Sequence, residues 1–140
     1  MAGTRDAKPA LRGSCLCGAI GFELDRLDGP IGHCHCRTCR KAHSAPFATV
    51  ARVRRDQFRW TRGENRLSQF ESSAGKHRMF CSVCGSQLAA MLDGSDQLVL
   101  RVATLDDDPG ERPIAHIWME HDEPWLGWQA LDEYQQFATR

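Results

Sequence analysis

Seven cysteines carry the chemistry open to this 140-residue chain: Cys15, Cys17, Cys34, Cys36, Cys39, Cys81 and Cys84. Thiolates are ligands for soft and borderline metals, and close spacing lets several of them reach one ion. Cys36/Cys39 and Cys81/Cys84 are Cys-x-x-Cys pairs, a spacing that gathers two sulfurs around a tight knuckle, as in zinc ribbons. Cys15/Cys17 and Cys34/Cys36 are two residues apart, so each pair on a strand would present both sulfurs to one face. Gly18 and Gly85 follow Cys17 and Cys84 and allow the backbone to turn sharply beside the sulfurs. The likeness of these two halves pairs Cys15, Cys17, Cys81 and Cys84 as one closed, tetrahedral structural zinc site. Cys34, Cys36 and Cys39 remain as ligands of a second zinc. Three ligands leave a fourth corner for water, substrate or a distant residue, which is how catalytic zinc sites differ from structural ones.

Other readings of the trio stay open at this level. A histidine could close the fourth corner, with His33, His35, His43, His77 and His116 as candidates. Strand alternation turns His33 and His35 to the other face, whereas His43 lies four residues beyond Cys39. The three thiols could also be buried without metal. A thioredoxin-like dithiol would need a βαβ context, which the sequence lacks.

The elements that must position these cysteines are short. Candidate strands are Ala19–Leu24, Ala48–Val53, Gln57–Thr61, Leu67–Ser72, Lys76–Phe80, Gln87–Met91 and Leu98–Ala103, divided by Gly, Pro, Asp or Asn. Arg37 to His43 has good helix formers and is expected as a single helical turn. Asp106–Pro113 reads as an acidic surface loop. The expectation is a mostly β protein in which residues 1–12 form a loose leader and residues 13–140 one zinc-binding domain. Trp118, Trp125 and Trp128, with Phe47, are read as core or pocket wall.

Composition limits the partners. Eighteen basic residues balance 18 acidic ones, which argues against a general nucleic-acid surface. No run approaches the roughly 18 apolar residues of a membrane span, and Met1 to Arg12 lacks the apolar stretch of a signal peptide. The chain is therefore read as cytoplasmic, where thiols stay reduced and clustered cysteines hold metal rather than form disulfides.

The order of the motifs is specific. Gly-Ser-Cys-Leu-Cys-Gly (Gly13–Gly18), His-Cys-His-Cys-Arg-Thr-Cys-Arg-Lys (His33–Lys41), Phe-Cys-Ser-Val-Cys-Gly-Ser (Phe80–Ser86), His116–Trp118 and Pro124–Trp125 resemble the glutathione-dependent formaldehyde-activating enzyme family, which also includes centromere protein V. The resemblance implies an antiparallel β-tent-type fold, a structural zinc on Cys15, Cys17, Cys81 and Cys84, and a catalytic zinc on Cys34, Cys36 and Cys39. It implies condensation of glutathione with formaldehyde to S-hydroxymethylglutathione, classed as a carbon–sulfur lyase activity. The family is broader than that reaction, so another small thiol or aldehyde is also a candidate substrate. Its centromere branch allows a different function, a non-enzymatic zinc module that binds a protein or nucleic-acid partner.

In this reading zinc binds a thiol as thiolate, although its ordinary pKa of about 8.5 leaves it protonated at neutral pH. Arg37, Arg40 and Lys41 offset the trio's negative charge, hold glutathione carboxylates, or form a solvated basic turn. His43 and His116 are conceivable proton carriers without an assigned role. Where the family pattern has glycine, this chain has Ser44, expected to alter the pocket beside the open corner.

Overall fold

The computed structural model describes residues 9–127 and residue 131. Among the described residues, ten short strands and one α-helix follow in the order β1 (Leu11–Ser14), β2 (Gly21–Leu24), β3 (Gly32–Cys34), α1 (Arg37–His43), β4 (Ala48–Arg54), β5 (Phe58–Arg62), β6 (Leu67–Ser73), β7 (Lys76–Cys81), β8 (Gln87–Leu92), β9 (Gln97–Arg101) and β10 (Ala115–Ile117). They form a three-stranded sheet, β1-β2-β5, and a seven-stranded sheet, β10-β3-β4-β9-β8-β7-β6. The pairings are antiparallel except that of β10 with β3, which is parallel.

The mostly β expectation holds, and the candidate strands shift by only a few residues. Leu98–Ala103 ends early, because Val102–Thr104 turns into a 3-10 helix. Strands β1, β3 and β10 were absent from the sequence reading: each has three or four residues, too few for an alternating pattern. β1 takes in Leu11 and Arg12 from the end of the expected leader.

Alternation gives the large sheet two different faces. Ala51, Val53, Ala89, Leu98 and Leu100 point to one side and join Ile20, Phe22, Leu24, Leu27 and Ile31 in the main core. Phe22 is 1% exposed, stacks on Phe58 at 5.3 Å between ring centres, and meets Trp60 edge-on at 6.1 Å. Gly13 makes room for that ring, since a Cβ there would lie 2.1 Å from Phe22 Cζ. The aromatic core thus comes from Phe22, Phe58 and Trp60. Trp125 corrects the core expectation, being 77% exposed, while Trp118 lines a cleft. Trp128 lies outside the described residues.

The opposite face of the large sheet is the functional one. Registers align Ala115, Gly32, Val50 and Arg101 across β10, β3, β4 and β9. Cys34, Val99, Arg52 and Lys76 also border the cleft on this face. The loop after β9 closes the first sheet edge, with Asp107 accepting from Arg12 and Asp106 from the Ser14 hydroxyl.

Candidate metal centres

Cys15, Cys17, Cys81 and Cys84 come together, their four sulfurs all within 4.8 Å of one another. The Cys15–Cys17 and Cys17–Cys81 sulfur separations are 3.6 and 3.9 Å. A tetrahedron of Zn–S bonds of about 2.3 Å has edges of about 3.8 Å, so the donor set fits zinc. Cys15 and Cys17 do not lie on a strand as expected; they sit in the turn after β1. That turn and the Cys81–Ser86 turn are built alike. The Cys15 N–H donates to Ile20 O and the Cys81 N–H to Ser86 O, while Gly18 and Gly85 donate back to the carbonyls of Cys15 and Cys81. Both glycines have left-handed φ, +80° and +81°, which confirms why glycine follows each second cysteine.

Donors converge on these sulfurs. The Ile20 N–H reaches Cys15 Sγ at 3.2 Å and the Val83 N–H reaches Cys81 Sγ at 3.4 Å. Cys84 is held down at about 5, first by the Ser86 hydroxyl and then by backbone donors. Such contacts favour the thiolate, the form that binds metal.

Cys34, Cys36 and Cys39 form the second group, again with all sulfurs within 4.8 Å. Here too the strand argument needs correction: Cys34 ends β3, whereas Cys36 caps the N-terminus of α1 and its sulfur accepts the Cys39 N–H at 3.3 Å. A strand end and a helix start, not alternation, bring these sulfurs together. The Cys39 thiol is pushed down to about 4, first by the Cys34 thiol donating to it, then by Cys36 and the charges of Arg101 and Arg78. Burial opposes that shift.

Among the described residues no histidine joins the trio. His33 Nδ1 lies 3.0 Å from Thr49 Oγ1, and His77 meets Asp93 at 3.0 Å. His35 is fully buried, with Nδ1 3.2 Å from Asp122 and Nε2 2.9 Å from His116 Nδ1. With Phe47 packed at a tilt against His33 and His35, these rings latch the β10 segment to β3. His43 is half-buried near the trio; burial first, and then Arg101, lower its pKa to about 4.

Two residues missed in the sequence reading dominate the electrostatics. Arg78 and Arg101 are 3% and 4% exposed. Arg78 donates to Thr38 Oγ1 at 3.0 Å and approaches Cys39 Sγ at 3.9 Å. Arg101 interrupts the apolar run Leu98–Ala103, and a charge inside such a run was the available signal. The basic residues singled out instead have other positions. Arg40 donates to the carbonyls of His35 and His121, and Arg37 and Lys41 border a second cleft.

The helix and trio separate two clefts. One of about 480 Å³ is bordered by Cys34, Cys39, Arg101, Lys76, Arg52 and Trp118, among others. The second, of about 430 Å³, is bordered by Arg78, Arg37, Lys41 and Phe70. Ser44 borders neither of these clefts and is the left-handed C-cap of α1, at φ 52°. No cysteine of the four-sulfur group borders either cleft.

Comparisons with known proteins agree with this architecture. The sequence model for the glutathione-dependent formaldehyde-activating enzyme family matches residues 10–121. Among solved structures, a Rhodobacter sphaeroides protein is similar, with a TM-score of 0.62 and 26% identity, covering 75% of this chain and 98% of its own. No curated protein sequence matches significantly.

Proposed function

Because the chain belongs to the glutathione-dependent formaldehyde-activating enzyme family, we propose that it is a zinc-dependent carbon–sulfur lyase acting on a thiol adduct of a small aldehyde. S-Hydroxymethylglutathione is the adduct this reading favours. One observation carries it: Cys34 and Cys39 of the trio border the larger cleft, whereas no cysteine of the four-sulfur group borders either. Cys15, Cys17, Cys81 and Cys84 then hold a structural zinc. Cys34, Cys36 and Cys39 would hold a second, which when bound would supply Lewis acidity toward a substrate thiol at neutral pH.

The chain's own residues set the environment for that chemistry. Arg78 and Arg101 place two positive charges beside three thiolates, and Arg78 with Thr38 fixes the Cys39 side. The Cys36 cap on α1 orients the helix so that Cys39 faces Cys34. In the net reaction the thiol S–H adds across the aldehyde carbonyl: the carbon–sulfur bond forms, the C=O π bond opens, and the oxygen receives the proton. The walls of the cleft hold thiol and aldehyde together, which raises their effective concentration.

We place the protein in the cytoplasm, where reduced thiols are free to hold metal. No described helix is long and apolar enough to cross a membrane. Exchange NMR of glutathione with formaldehyde, with and without the zinc-loaded protein, tests the activity. Faster interconversion that Cys36→Ser abolishes while the fold survives supports the reading. No rate change at any protein concentration rules out this substrate pair.

A further inference from the structure

We propose that Arg101 is the anchor for a carboxylate on the substrate, so that the larger cleft selects acid-bearing thiols over neutral ones. The inference rests on the functional reading above and deepens it by naming a selectivity.

Arg101 borders the cleft together with Cys34 and Cys39, yet it is only 4% exposed. Its Nε and Nη2 are buried with no hydrogen-bond partner. A guanidinium in that state has lost much of its hydration without replacing it, which is costly until an anion arrives. Arg78 is less exposed to this cost: its Nε also lacks a partner, but its Nη2 donates to Thr38 Oγ1 and lies 3.9 Å from Cys39 Sγ.

Space and charge both favour a ligand beside Arg101. In its cross-strand row Val50 lies next to Arg101, and beyond it Gly32 has no side chain and Ala115 only a methyl group, so the room on this face lies across Val50 from the guanidinium. A Cβ on Gly32 would meet only Ala115 O, at 3.5 Å. Arg52 and Lys76 add positive charge to the same cleft, against the single carboxylate of Asp28, which accepts from the Gln97 amide. Zinc with three thiolates carries one net negative charge, and the two buried arginines more than offset it. One positive charge is left over, and Arg101 is the arginine with two buried nitrogens, Nε and Nη2, that have no partner. The planar fork of an arginine matches the two oxygens of a carboxylate.

The test uses the zinc-loaded protein and calorimetric titration with three probes: 3-mercaptopropionate, 3-mercaptopropionamide and propionate. The expected result is at least about tenfold tighter binding of the acid thiol than of its amide. Arg101→Met should remove that preference and Arg101→Lys should keep part of it, with circular dichroism to check the fold. Equal affinity of the two thiols for the unmodified protein overturns the proposal, whatever the variants do, and leaves the thiol reading intact. A preference that survives Arg101→Met but disappears in Arg52→Met or Lys76→Met also overturns it. If propionate binds through Arg101 while neither thiol adds affinity, the anion anchor stands and the thiol reading fails. If none of the probes binds, both fail.

Discussion

Acidification should destabilise this protein through His43. It is the last residue of α1, and its Nε2 is buried without a hydrogen-bond partner. Burial is the largest cause of its depressed pKa, followed by the positive charge of Arg101; Cys39 opposes and Arg78 assists. In the unfolded chain the ring titrates near 6.5, and in the folded one at about 4. Between those values the unfolded state binds the proton that the folded state refuses. Stability is therefore intact above about pH 6.5 and falls as the pH drops toward 4. The full depression corresponds to about 3 kcal/mol, of which about 2 kcal/mol is already lost at pH 5. That is roughly a thirtyfold change in the ratio of folded to unfolded protein. His43→Gln removes the titration but keeps a side chain of comparable reach. Urea unfolding at pH 7.5 and 5.0, with metal content measured in both proteins, should show the variant losing about 2 kcal/mol less on acidification. Metal release at low pH is common to both and cancels in the difference. An NMR titration that finds His43 ionising near 6.5 in the folded protein would refute the reasoning, as would equal acid losses in the two proteins.

Three further outcomes are expected. Ser44→Gly should raise stability by about 0.5–1 kcal/mol, seen as a higher urea midpoint, because Ser44 holds a left-handed backbone at φ 52°. Gly13→Ala should lower the thermal midpoint by an amount equivalent to about 1–3 kcal/mol, since its Cβ would overlap the packed Phe22 ring. Cys81→Ser and Cys36→Ser should differ in kind. The first opens a cross-link between positions 64 residues apart and should cost about 4 kcal/mol by loop entropy, whereas the second should leave the thermal midpoint close to that of the parent. Equal melting of the two variants would contradict the division between the groups.

Much of the site was legible because metal ligation is a short-range demand on residue type and spacing. The partition of seven cysteines into four and three is the arrangement found, although the strand alternation used to argue it is not. A knuckle turn and a helix cap also bring sulfurs two residues apart together, so the correct grouping did not need the correct backbone. Arg78 and Arg101 were harder to see. Their importance depends on which face of the large sheet they occupy, and that follows from the pairing register across β7, β8 and β9. The contact of β10 with β3 joins residues far apart in sequence, and three residues carry no periodicity. Ser44 was noticed for its size, but its effect lies in the backbone, because the stretch Arg37–His43 ends in a left-handed cap there.

The two sulfur groups also differ in when they can exist during synthesis. The trio spans six consecutive residues, so all its donors leave the ribosome together. The four-sulfur group waits for a second half that follows Cys17 by 64 residues. At about 5–20 residues per second that delay is roughly 3–13 s. During it Cys15 and Cys17 are an incomplete pair of thiols. The trio is thus the first place on the nascent chain where metal can be captured, and the donors of the four-sulfur group are complete only once Cys84 has been made, with β8, β9 and β10 still to follow.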